Sequence, residues 1–178
     1  MKKTIDVYEH MGEILKGVKS GVLITGKADD KVNSMTISWG MVGIEWGKPI
    51  FVTFIRENRF TRSLIEKTGE FTVSIPIDDS AKKILGFCGS KSGRDIDKAR
   101  EIGLTYEEPE MTSVPGVKEL PLTLECKVVY KQTQDTEAMT EENREKFYPQ
   151  NVESSFSGAN RDTHIAYYGE IVDAYVIE

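Results

Sequence analysis

Residues Asn33 to Pro76 read NSMTISWGMVGIEWGKPIFVTFIRENRFTRSLIEKTGEFTVSIP, and this stretch decides the fold. Its apolar run through Ile55 is β-branched and aromatic, so Pro49–Ile55 is expected as a strand. Arg56 follows at once, and a helix is expected over Arg59–Thr68. Phe60, Leu64 and Ile65 then share one face, with Asn58 placed to cap the start and Gly69 to stop the end. Glu70–Ile75 alternates as a further strand. Upstream, Met35-Thr36-Ile37-Ser38-Trp39-Gly40 alternates too, which makes a polar-edged ledge on which a flat ring could lie. Where a strand hands over to a helix, free N–H groups and a partial positive charge attract anions. Arg56 and Arg59 add guanidinium forks that suit phosphate oxygens. A ledge beside a phosphate site suggests a nucleotide with a large aromatic head. The same residues also read more plainly, Arg56, Arg59 and Thr61 as solvated helix-start residues and Thr36, Ser38 and Trp39 as outward positions of a strand.

Working outward, Val18–Lys27 and Val32–Trp39 read as strands around an Ala28-Asp29-Asp30-Lys31 turn, preceded by a helical Tyr8–Leu15. Asp78–Phe87 and Ser92–Ile102 read as short helices divided by a Cys88-Gly89-Ser90 turn, with Ser92 as N-cap and Asp95 three residues on. Leu122–Lys131 and Ile165–Ile177 complete the strands, the second broken at Gly169. Many short strands without strict βαβ alternation imply a mainly β (β+α) fold, an antiparallel barrel with peripheral helices. Residues 1–178 are expected as a single domain. Within it Gln132–Asp162 is polar and acidic, with a helix at Thr140–Phe147, and reads as an excursion on the barrel surface, either a variable loop or a lid or dimer arm.

The 178 residues carry 29 acidic and 23 basic side chains, a net charge of −6 that disfavours nonspecific nucleic-acid binding. No apolar run is long enough to span a membrane, and the N-terminus lacks the apolar segment of an export signal. Cys88 and Cys126 are too few for a disulfide framework, so a cytoplasmic protein is expected. Gly21–Lys27 imitates a phosphate-binding loop, but Ala28 stands where a Mg²⁺-binding hydroxyl belongs. No dinucleotide fingerprint follows a strand. His10, His164 and the two cysteines have no zinc-site spacing, so no metal is expected.

Five pieces in order resemble the flavin reductase-like proteins with an FMN-binding split barrel, flavoredoxin-type members in particular. They are N-x-M-T-x-S-W-G at Asn33–Gly40, I-R-x-x-R-x-T at Ile55–Thr61, G-E-F-x-V-S at Gly69–Ser74, C-G-x-x-S-G-R-D-x-D-K at Cys88–Lys98 and H-x-x-x-x-G-E-I at His164–Ile171. The resemblance spans most of the chain except Gln132–Asp162. It implies a non-covalent FMN, with Asn33, Met35, Thr36, Ser38 and Trp39 beneath the ring. Ile55, Arg56, Arg59, Phe60 and Thr61 would lie about the phosphate, at least one arginine touching it. Cys88, Gly89, Ser90, Ser92, Gly93 and Lys98 would close over the flavin and its phosphate tail. His164, ordinarily a structural residue in such a place, becomes a candidate catalytic group beside the ring or an incoming nicotinamide. The implied activity is NAD(P)H-dependent flavin or ferric-type reduction, or electron transfer, in a homodimer. One rival is a non-enzymatic FMN carrier serving redox-protein partners. Another is a cofactor-free thiol enzyme with Cys88 as nucleophile and His164 as base.

Overall fold

Two long strands, β9 (Leu122–Thr133) and β10 (His164–Ile177), pair antiparallel along most of their length and form the spine of the molecule. The computed structural model describes residues 1–153 and 162–178. Around the spine lie β1 (Lys2–Thr4), β2 (Val22–Ala28), β3 (Lys31–Ile37), β4 (Gly40–Glu45), β5 (Lys48–Arg56) and β6 (Glu70–Ile75). The sheet order is β3-β2-β6-β9-β10-β5-β4, with β1 added on the far end of β10. All of these pairs are antiparallel. A small pair, β7 (Tyr106–Glu107) with β8 (Gly116–Val117), stands apart.

Among the described residues, five α-helices surround this mainly β body: α1 (Val7–Ser20), α2 (Phe60–Thr68), α3 (Lys82–Ser90), α4 (Lys98–Ile102) and α5 (Glu141–Phe147). The core draws Ile24, Phe51, Ile55, Phe71, Leu124 and Tyr167 from the strands, and Ile14 and Val18 from α1. Leu64 and Ile65 of α2 are also buried, and each such side chain contributes roughly 2 kcal/mol of burial. No helix among the described residues is long and apolar enough to cross a membrane.

Several boundaries differ from expectation, each for a local reason. Val18–Ser20 ends α1 instead of opening a strand, because Val18 is drawn into the core and Gly21, at φ 113°, supplies the reversal. The ladder of β3 stops at Ile37, and β4 is a strand that its two glycines concealed; the Trp46-Gly47 tip folds it back on β5. Helix α3 runs through Cys88-Gly89-Ser90, since Leu85 and Cys88 bury against Leu23, Ala81, Val117 and Leu120. That packing offsets the roughly 1 kcal/mol cost of a helical glycine. Ser92–Asp97 is a turn, and Asp97 caps the short α4 that follows. β10 passes Gly169 with a register shift rather than a break. A Cβ there would lie 2.4 Å from Phe71 Cζ, so the glycine admits the phenyl ring.

Candidate functional site

Strand β3, the start of α2 and the α3–α4 connection enclose a cavity of about 200 Å³. Arg59, Lys91, Arg94 and Lys98 line it, and no carboxylate among the described residues does. Arg59 occupies the N-cap of α2, one residue later than expected, because Asn58 is held elsewhere through its N–H on the Asp162 carboxylate at 2.5 Å. No side chain among the described residues caps the helix, so the N–H groups of its first turn lack an intrahelical partner. The guanidinium of Arg59 has no carbonyl or carboxylate partner among the described residues. Arg94 reaches the Asn58 carbonyl at 2.7 Å and lies over the Phe60 ring. Asn33 Nδ2 donates to Thr61 Oγ1 at 2.7 Å, joining β3 to α2. Gly93 abuts this pair so closely that a Cβ would meet Asn33 Oδ1 at 2.0 Å.

Lys98 is only 4% exposed and pairs with no carboxylate among the described residues. Its Nζ donates to Ser34 O at 3.0 Å and Cys88 O at 2.8 Å, fastening β3 to the end of α3. Burial pushes its pKa down, as Arg59 does more weakly, against an opposing pull from Cys88. Two of its three donors are thus spent on backbone, so its first role is to hold the cavity wall.

A second cavity of about 250 Å³ adjoins the first, and Met35, Thr36 and Arg59 line both. Ile37, Ser38, Trp39, Phe54, Arg56 and His164 complete it. Thr36 Oγ1 donates to Leu85 O at 2.6 Å, so that hydroxyl is spent fixing β3 to α3. Ser38 and Trp39 stand exposed at the mouth. Together the cavities fall in the size range of small-molecule sites.

The expected surface excursion packs against residues that line this second cavity. Residues 154–161 of it lie outside the described residues. The rest extends β9 to Thr133, forms a short 3-10 turn at Thr136–Ala138 and then α5, and returns to the barrel. The Phe147 ring meets Trp39 edge-on, with centroids 5.0 Å apart. Tyr148 is buried, its hydroxyl 2.6 Å from His164 Nδ1 and 3.0 Å from Gln134 Oε1. Arg56 is tied to the same segment, donating to Asp162 O at 2.6 Å and to Phe147 O at 3.3 Å, with its guanidinium over the Tyr148 ring.

His164 faces Arg56 across the β5–β10 ladder and stacks at a tilt on Trp39, centroids 5.0 Å apart. It is 7% exposed. Burial first, then Arg56 and more weakly Arg59, lower its pKa to about 4 against the pull of Asp162. The imidazole is therefore neutral at physiological pH.

Among the expected site residues, Asn33, Met35, Thr36, Arg59, Phe60, Thr61, Cys88, Gly89, Ser92, Gly93 and Lys98 meet at the first cavity. Ser38, Trp39, Arg56 and His164 meet at the second. Two stand elsewhere: Ile55 is buried in the core and lines neither cavity, and Ser90, exposed at the end of α3, turns its hydroxyl to Phe87 O. Asn58, Lys91, Arg94, Ile37 and Phe54 line the cleft without having been singled out, although Lys91 and Arg94 sit inside the Cys88–Lys98 motif. Cys88 and His164 line different cavities, and burial raises the Cys88 thiol pKa despite the counter-pull of Lys98. A thiol–imidazole pair is not assembled, and the thiol route lacks an activated nucleophile.

A sequence model described as flavin reductase like domain matches residues 15–178. An uncharacterized protein of Archaeoglobus fulgidus is 32% identical over 120 residues, which is 67% of this chain and 66% of that protein, so the chain spans just under two thirds of that relative. Among solved structures, the flavoredoxin of Methanosarcina acetivorans superposes with a TM-score of 0.64 at 24% identity, over 89% of this chain and 68% of that one. An FMN-binding domain of a flavin reductases-like enzyme from Shewanella baltica superposes with a TM-score of 0.67 at 17% identity, over 99% and 77% of the two chains. These structural likenesses bear on the fold.

Proposed function

Since the chain belongs to the flavin reductase-like domain family, whose role is flavin-related redox chemistry, we propose that its cleft holds FMN non-covalently and serves NAD(P)H-dependent flavin or ferric-type reduction or flavoredoxin-like electron transfer. One observation carries this reading. In a chain of net charge −6, the first cavity gathers, among the described residues, four cations and no carboxylate around a helix start without a side-chain cap. A dianionic phosphate fits that surrounding in charge and in hydrogen-bonding capacity.

The residues divide the ligand between them. Arg59, Lys91, Arg94 and the first N–H groups of α2 would take the phosphate. Asn33 and Ser92 flank the polar linker, and the backbone of Met35–Trp39 would carry the ring. When bound, FMN supplies the redox chemistry itself, receiving electrons from a donor and passing them on. The protein positions, shields and tunes. Arg59, lining both cavities, would offer positive charge to a reduced flavin. Trp39, with Phe147 packed edge-on against it, would border the ring. His164, being neutral, orients a ligand rather than contributing charge.

A homodimer goes with this reading: the edge strand β4 and its tip expose Met41, Ile44 and Trp46. The rival, an FMN carrier serving a redox protein, needs the same cleft without a nicotinamide. Precipitation of the purified protein should release a flavin that chromatographs as FMN, and anaerobic NADH or NADPH should bleach its absorbance within the time of turnover. Bleaching only through an added protein donor would favour the carrier. Release of FAD, or a colourless protein that FMN does not stain, would remove the proposal.

A further inference from the structure

His164, Tyr148 and Gln134 form a chain that begins inside the cleft and ends in the segment after β9. The Tyr148 hydroxyl has one proton and two neighbours, Gln134 Oε1 at 3.0 Å and His164 Nδ1 at 2.6 Å. With the amide placed as it is, Gln134 Oε1 can only accept, so the hydroxyl proton goes there. His164 Nδ1 must then carry its own proton and donate it to the Tyr148 oxygen. That leaves Nε2 as a bare acceptor on a ring that lines the second cavity. The geometry is tied to the backbone, since the Gln134 N–H donates to His164 O at 2.9 Å. Arg56 stacks over Tyr148 and holds the Phe147 carbonyl, which fixes the tyrosine from its other side.

We propose that Tyr148 is the positioning residue of His164: it fixes the ring as the Nδ1–H tautomer, so that Nε2 accepts a hydrogen bond from an N–H of the incoming electron donor, the carboxamide in the case of a nicotinamide. The donor's identity rests on the flavin-site reading above; the tautomer does not. No proton or electron changes hands in this contact. Its effect is to align the carboxamide-bearing face, a matter of orientation. The charged and titratable groups facing His164 are Arg56 from β5, Arg59 at the start of α2, Asp162 two residues before it in the chain, and Tyr148. Both arginines and burial oppose protonation, which keeps the acceptor available at physiological pH.

With only two histidines in the chain, a His10→Gln background leaves His164 alone in long-range proton–nitrogen correlation spectra. The expected result is a protonated Nδ1 and a bare Nε2, unchanged between about pH 8 and pH 5. Gln134→Leu, which removes the acceptor for the hydroxyl proton, should turn Tyr148 round to donate and flip His164 to the Nε2–H tautomer. Tyr148→Phe, which keeps the ring beneath Arg56, should release the tautomer as well. In turnover, Tyr148→Phe should raise the KM for the nicotinamide by about five- to tenfold with kcat and FMN affinity within about twofold, and should add nothing to His164→Ala. An Nε2–H tautomer in the parent protein, or spectra that both variants leave unchanged, overturns the proposal. Additive kinetic effects overturn it too. A protein that binds no flavin removes the functional reading alone, because the spectra need no cofactor.

Discussion

The two arginines of the Arg56–Arg59 turn are three residues apart and equal in chemistry, yet they do opposite work. Arg56 spends its guanidinium on the protein, on two backbone carbonyls and a tyrosine face. Arg59 opens onto both cavities with no carbonyl or carboxylate partner among the described residues. The same contrast separates the two ends of the cleft. At the α2 end, Arg94 and Lys98 are bonded only to backbone carbonyls among the described residues, and Arg59 keeps its donors. At the β10 end, the polar groups are already bonded to one another and define a shape. A cation is free to bind only where the fold has not already used its donors, and sequence does not display that difference.

The sharpest way to break this comparison is to remove each arginine and read stability and affinity separately. Arg56→Ala deletes at least the two charge-assisted hydrogen bonds seen among the described residues, on a half-buried group. It should cost about 3 kcal/mol of stability and lower the thermal midpoint by roughly 6–12 °C. Arg59→Ala should leave the midpoint nearly unchanged and weaken FMN about ten- to a hundredfold in a fluorescence titration. If instead Arg56→Ala abolishes flavin binding in a fully stable protein while Arg59→Ala binds like the parent, the assignments are reversed.

The legibility of the two ends follows the same line. The α2 end is local: Arg59, Phe60 and Thr61 are consecutive, and a helix start needs only nearby residues to form. Even Lys91 and Arg94 were within reach, since they flank the Ser92-Gly93 pair already singled out. The strands of the barrel were also readable, because the alternation in Glu70–Ile75 marks extended chain, although the structure buries Phe71–Ile75 on both faces. β4 was not, as Gly40 and Gly43 remove the pattern and the strand exists through its pairing with β5. Least readable was Tyr148. It lies beyond an acidic helix in a stretch with no apolar period, and it meets His164 through long-range packing. Cys88-Gly89-Ser90 misled for the converse reason: small residues suggested a turn, and tertiary burial of Cys88 kept the helix going.

A second test turns on the buried ring at the β10 end. The folded pKa of His164, about 4, lies below its ordinary value of 6.5, so the neutral form is favoured by folding. Its contribution is therefore fully present above pH 6.5 and is lost as pH falls towards 4, the window in which the unfolded chain takes up a proton and the folded one does not. By pH 5 that loss amounts to roughly 2 kcal/mol. His164→Gln should flatten this part of the stability–pH profile, measured by denaturant unfolding, while the acid limb below pH 4 persists through the carboxylates. An unaltered slope between pH 6.5 and 5 would mean that the ring is solvated and that the β10 end is looser than its contacts imply.

The smallest effect is expected at Cys88, a buried thiol that lines the first cavity. Its thiol is 1% exposed and pushed upward in pKa by burial, so little thiolate exists at neutral pH and little of that is reachable. The neighbouring Lys98 does not activate it, because that ammonium bonds the Cys88 carbonyl and lies in the backbone layer. Cys88→Ser preserves size and the helix, and it puts a hydroxyl where a preceding-turn carbonyl can accept its proton, as that of Ser90 does at Phe87 O. Flavin affinity and turnover should stay within about twofold and stability within about 1 kcal/mol. Complete loss of turnover with flavin still bound would restore the thiol as a reacting group. It would also make the first cavity a catalytic centre instead of a phosphate pocket, and the division of labour between Arg56 and Arg59 would have to be drawn again.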